Sequence, residues 1–85
     1  MNSFHVEWTM TALDMLAEIW TQASNRRAVN NSQNQIDAQL AGDPIGRGTH
    51  LGEGLYKMVV DPLIVFYSVD ETTKQVQVSV VWQIP

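Results

Sequence analysis

The sequence predicts an α+β fold, β-α-α-β-β-β in order, with a helical hairpin packed on one face of an antiparallel sheet. Three observations predict it. Apolar residues recur at every second position at the start of the chain, at helical spacing from Met10 to about Ala41, and at every second position again from Leu55. The joints between helices and between later strands are short, so successive elements reverse direction. One stretch, "LIVFYSV", is apolar at both parities, as a strand covered on both sides must be.

Each element has its own reason. In "SFHVEW", Phe4, Val6 and Trp8 alternate with His5 and Glu7, which makes a half-buried strand. Thr9 or Thr11 can cap the helix that follows, because a hydroxyl oxygen accepts an orphan backbone N–H. From Met10 to Ala23 two stripes lie side by side: Met10, Leu13, Ala17 and Trp20, and Ala12, Leu16, Ile19 and Ala23. Together they form a wide apolar face, and Trp20 is expected in the core. Ser24 or Asn25 fits the N-cap of a second helix running to about Ala41. Its apolar line is thin, Val29, Ile36 and Leu40 among amides, so packing on one side must hold it.

Residues 42–54, "GDPIGRGTHLGEG", hold all five glycines and are expected to form a long loop. Three strands follow. "LYKMVV" is the first, and Asp61-Pro62 marks a turn at which a strand begins without needing a proline N–H. "LIVFYSV" is the central strand, with Leu63, Val65, Tyr67 and Val69 on one face and Ile64 and Phe66 on the other. After the polar "DETTK", "VQVSVVWQI" points Val76, Val78, Val80, Trp82 and Ile84 inward and Gln77, Ser79 and Gln83 outward. If every element reverses the chain, the first strand runs antiparallel to the first or last of these three.

Eighty-five residues make one domain, residues 1–85. A chain this short buries only about 60–65% of its unfolded surface, so a partner chain is the expected extra source of stability. No cysteine is present, which removes disulfides and thiol nucleophiles and favours the cytoplasm. The first residues have no basic region leading into an apolar core, and no apolar run reaches the ~18 residues of a membrane span. Net charge is −4, evenly spread, with no cluster of Lys or Arg. General nucleic-acid binding and membrane attachment are therefore not expected.

The helices can cover only one face of the sheet. Tyr56, Met58, Ile64, Phe66 and Val81 are expected on the other, as an apolar patch of the kind that marks a binding surface. Trp82 and Ile84 either finish the core or form an edge for an incoming peptide. Polar candidates are few. Lys57 is the only cation in the first meander strand and can meet a phosphate or a partner carboxylate, or simply solvent. Arg47 and His50 lie in the glycine-rich stretch and, with Glu53, can form a polar site in which His50 titrates near neutrality. His5 and His50 are the only histidines, and their spacing suggests neither a metal site nor a cofactor. Tyr67 faces the helices and reads as a core residue with its hydroxyl at an edge.

The order of pieces resembles a known family. "WTMTALDMLAEIW", "NRRAV", "IDAQLAGDPIGRG" and "EGLYKMVVDPLIVFYSVDETTKQVQVSVVW" are similar, over nearly the whole chain, to the RelE/ParE superfamily of bacterial toxins from type II toxin–antitoxin systems. The shared features are a tryptophan-led first helix, Ile36-Asp37-x-x-Leu40 in the second, the Asp43-Pro44 loop leading to Gly46-Arg47, Glu53-Gly54 before the sheet, and Pro62-Leu63-x-Val65-x-Tyr67. The resemblance implies a toxin, often of plasmid-stabilisation type, neutralised by a cognate antitoxin. RelE-like members cleave mRNA on the ribosome through basic residues that stabilise the phosphorane; ParE-like members poison DNA gyrase. Here Tyr56, Ile64 and Ser79 stand where RelE-like members commonly carry arginine, and no basic residue follows Trp82. A protein target such as gyrase is therefore expected before ribosome-bound mRNA. An endoribonuclease built on Arg47, His50 and Lys57, or a non-toxic interaction module, are the alternatives.

Overall fold

The structure, a computed structural model, describes residues 3–85. Strand β1 (His5–Trp8) leads into helix α1 (Met10–Gln22), then α2 (Arg26–Gly42), a single helical turn α3 (Pro44–Arg47), and strands β2 (Thr49–Gly52), β3 (Leu55–Val60), β4 (Leu63–Asp70) and β5 (Gln75–Gln83). The strands form one sheet in the order β1-β5-β4-β3-β2. The helices are capped as the sequence suggests. Thr9 Oγ1 accepts the Ala12 N–H and Asn25 Oδ1 accepts the Ala28 N–H, each satisfying a backbone donor that the first turn leaves free. Arg26 closes the corner between α1 and α2: its Nε donates to the Trp20 carbonyl, which also accepts the Ala23 N–H, and its Nη2 donates to the Thr21 carbonyl at the helix end.

Two expectations fail for one reason. Residues 42–54 are not an irregular loop. Asp43 Oδ1 caps the α3 turn through the Gly46 N–H, and Thr49–Gly52 pairs with β3 as a further strand. That strand adds one chain reversal. Consequently β1 lies parallel to β5, with His5 opposite Gln75 and Trp8 opposite Val78, rather than antiparallel to a meander strand. The sheet is mixed, and β1 and β2 are its outer strands.

The core lies between the helices and one sheet face. Ala12 and Leu16 from α1, and Val29, Ile36 and Leu40 from α2, meet Met58, Leu63, Val65, Tyr67, Val76, Val78 and Val81. Each fully buried Val, Leu or Ile side chain contributes about 1.5–3 kcal/mol relative to exposure. The polar groups in this layer are satisfied. Ser32 Oγ donates to the Val60 carbonyl, Trp8 Nε1 donates to Asp37 Oδ1 at 2.7 Å, and Tyr67 Oη donates to the Pro44 carbonyl at 2.7 Å. The first joins α2 to β3, the second β1 to α2, and the third holds α3 over β4.

Candidate partner-binding face

A strand shows its side chains to alternate faces, so register decides which residues reach the uncovered side of the sheet. In β4, Leu63, Val65 and Tyr67 are buried under the helices, while Ile64, Phe66 and Ser68 point the other way. β3 pairs Met58 with Val65 and Tyr56 with Tyr67, which puts both residues on the helix side. Met58 is 3% exposed. The open face of β3 is therefore Leu55, Lys57 and Val59, at the parity opposite to the one expected. Tyr56 and Met58 are corrected from partner face to core side, with Tyr56 half-buried and stacked on the Tyr67 ring at 5.7 Å.

β5 carries a bulge. Tyr67 lies opposite Val78 and Phe66 opposite Val80, leaving Ser79 as the extra residue. Its effect is to switch faces in mid-strand. Val76 and Val78 point to the helices before it; Val81 does so after it and is 1% exposed, so Val81 too belongs to the core. Val80 and Trp82, expected inward, turn to the open face. Trp82 is 53% exposed and meets Phe66 edge-on, with ring centroids 5.1 Å apart. Ile84 is half-buried past the end of β5, its N–H donating to the Pro62 carbonyl.

The open face thus presents two rows of neighbours across the strands: Thr49, Lys57, Phe66 and Val80, and then Val59, Ile64 and Trp82. A shallow, almost wholly apolar groove of about 290 Å³ runs between Leu51, Leu55, Phe66, Val80 and Trp82, with Tyr56 at its rim. Leu51, Leu55, Val59 and Val80 were not singled out from the sequence. A signal for two of them existed: Lys57, the only charge in β3, marks the less covered parity and so points to Leu55 and Val59. The adjacent pair Val80-Val81 breaks strict alternation and is the trace of the bulge.

The catalytic candidates do not converge. His50 lies opposite Tyr56, on the helix-side parity, with its ring 5.1 Å from the Tyr56 ring. Lys57 follows Tyr56 and emerges on the other face. Arg47 is exposed at the end of α3. Tyr67 is fully buried, and burial, with smaller contributions from the charges of Tyr56 and Asp43, pushes its phenol up to about 12 from its ordinary 10.0. A phenol so placed holds its proton and serves packing. Trp20, expected in the core, is 40% exposed, with the Arg26 guanidinium 4.6 Å above its ring. A single helix laid on a sheet buries one stripe, and α1 buries Ala12 and Leu16, leaving Met10, Leu13 and Trp20 outside. Among the described residues no group of His, Cys, Asp or Glu is arranged to hold a metal, and no helix is long and apolar enough to cross a membrane.

Comparison with solved structures places this architecture. The chain matches the RelBE2 toxin–antitoxin complex from Mycobacterium tuberculosis with a TM-score of 0.79, at 18% identity, over 95% of this chain and 98% of that one. The chromosomal ParDE system of P. aeruginosa matches at 0.74, with 16% identity and complete coverage of both chains. The YoeB/ParE toxin from Agrobacterium tumefaciens matches at 0.63, with 17% identity over 96% of this chain and all of that one.

The fold is that of the RelE and ParE toxins. No family model matches the chain, and no curated protein matches it in sequence. The three positions that the sequence resemblance sets against RelE-like arginines fall in different surroundings. Tyr56 lies on the helix side, Ile64 on the open face, and Ser79 at the bulge. The open face of this RelE/ParE fold carries a hydrocarbon groove with one cation beside it.

Proposed function

We propose that the chain is the toxin-type component of a bacterial toxin–antitoxin pair. Its principal property is tight binding by a neutralising partner polypeptide, and its own target, when it acts, is a protein such as DNA gyrase. The neighbours in three dimensions are components of such pairs, and their fold covers this chain from end to end. The observation that carries the reading is the chemistry of the open face. Leu51, Leu55, Val59 and Trp82 are each about half exposed there, and Lys57 is the single cation among them. Hydrocarbon of this extent gains free energy from burial against another polypeptide. Phosphoryl-transfer chemistry on RNA instead calls for several cations aimed at one phosphate.

The endoribonuclease reading needs Arg47, His50 and Lys57 to act on one substrate, and His50 and Lys57 leave β2 and β3 on opposite faces. The partner is expected from a short reading frame beside this one, and both would work in the cytoplasm. Induced expression in a bacterial host tests the proposal. Expression alone should arrest growth with gyrase-dependent DNA damage and intact polysomal mRNA, and co-expression of the neighbouring short protein should restore growth. Cleaved polysomal mRNA would favour the nuclease. Unimpaired growth together with no co-purifying neighbour would leave a non-toxic interaction module.

A further inference from the structure

The open face has two halves of opposite character, and they are continuous. One half is the apolar groove over Phe66, Val80 and Trp82. The other is a polar hollow at the far end of β4, lined by the carboxylates of Glu7, Glu53, Asp70 and Glu71 with Ser68 and Gln77 between them. The halves join where Leu55 lies opposite Ser68, and Ser68 opposite Gln77, one row beyond Lys57, Phe66 and Val80. From Ile64 to Asp70 the face spans about 20 Å, the length of about thirteen residues of α-helix or six of extended chain. Four carboxylates against one lysine make this surface hostile to a phosphate backbone. They make it complementary to a segment that carries cations at one end and hydrocarbon at the other.

We infer that the open face docks a cationic amphipathic polypeptide segment. Its apolar side chains cover the Phe66–Trp82 groove, and its lysines or arginines reach the carboxylates at the β4 end. The inference rests on the reading of this face as a polypeptide-binding surface and adds the charge and direction of what binds. Apolar burial supplies the affinity, and the carboxylates fix which way the segment lies.

The test uses the purified chain and a 14-residue helical Leu/Lys peptide as probe, with a Leu/Glu counterpart, a scrambled Leu/Lys peptide and a single-stranded oligouridylate beside it. The patterned Leu/Lys peptide should bind best, and more weakly as salt rises. Removing Glu53 and Glu71 together (E53Q/E71Q) should weaken it about three- to tenfold, the scale of two partly exposed charge pairs. Trp82→Gln, at a half-exposed site, should weaken it comparably. Asp14→Lys on α1 changes net charge by the same two units and should leave binding within about twofold. Equal losses from the two changes would reduce the effect to net charge and overturn the inference. Equal binding of the Leu/Glu or scrambled peptide, or tighter binding of the oligouridylate, would do the same. Growth arrest and its rescue are independent of these titrations: if the peptide fails while rescue holds, the polarity falls and the toxin-type reading stands, and the converse result separates them the other way.

Discussion

Tyr67 and Gly48 are made for one another. The Tyr67 hydroxyl passes under α3 to the Pro44 carbonyl, and a Cβ at Gly48 would overlap that hydroxyl. Gly48 has an ordinary extended backbone, so its need for glycine is steric. Gly48→Ala should destabilise the chain by about 1–3 kcal/mol, the usual size of overpacking, read as a lower urea midpoint. Tyr67→Phe removes the worst of the overlap, though the ring carbon that bore the hydroxyl stays 2.9 Å from such a Cβ, and it costs one hydrogen bond, about 1 kcal/mol. The double variant should therefore be more stable than the sum of the two losses implies. Alkaline stability follows from the same phenol. In the folded chain Tyr67 titrates near 12, against 10.0 for the ordinary group, so above pH 10 the unfolded chain releases its proton first. The stabilisation is complete below pH 10 and disappears as pH rises through 12. It amounts to roughly 2–3 kcal/mol at about 1.4 kcal/mol for each pH unit. Denaturation at pH 9 and pH 11.5 should show this loss in the natural chain and less of it in Tyr67→Phe.

The bulge in β5 decides which residues the open face displays. Ser79 is the supernumerary residue, so its deletion leaves Val78, Val81 and Gln83 at one parity and Val80 and Trp82 at the other. A variant lacking Ser79 should fold with the same core and lose less than about 2 kcal/mol, mainly through altered twist. Deleting Gln77 instead drives Val76 or Val78 out of the core and should abolish cooperative unfolding; circular dichroism during thermal denaturation distinguishes the two. The same elements mark where the sequence could be read. Helices α1 and α2 and strands β3 to β5 follow from periodicity and caps, and the caps at Thr9 and Asn25 are found in the structure. β2 was hidden because "THLG" is too short and too rich in turn residues to show a period. Without that strand the chain has one reversal fewer, which makes β1 antiparallel to a meander strand where the structure has it parallel to β5. Trp20 was misplaced because two apolar stripes on one helix look like a single wide face. The parity of β3 was ambiguous because both its faces are mostly apolar.

At the scale of the molecule, one sheet divides the work. The helices cover a face made of Leu63, Val65, Tyr67, Val76, Val78 and Val81, and the stability of the chain resides there. Among the described residues no helix lies on the reverse face, which is apolar around Phe66 and Trp82 and acidic toward Asp70. The sequence disclosed that such a face must exist, since a two-helix layer covers a sheet once. It disclosed Ile64, Phe66 and Trp82 as candidates, but the true composition depended on a bulge and a register that only pairing reveals.

Co-purification of the chain with the antitoxin-type partner proposed for it, comparing the natural sequence with Trp82→Glu, bears most directly on this division. Trp82 is half exposed, so a glutamate there should leave the melting temperature within a few degrees. The expected result is a loss of at least about tenfold in affinity, as burying an unpaired charge in an apolar contact requires. Undiminished binding by a folded Trp82→Glu chain would contradict the assignment of the open sheet face as the surface that meets its partner.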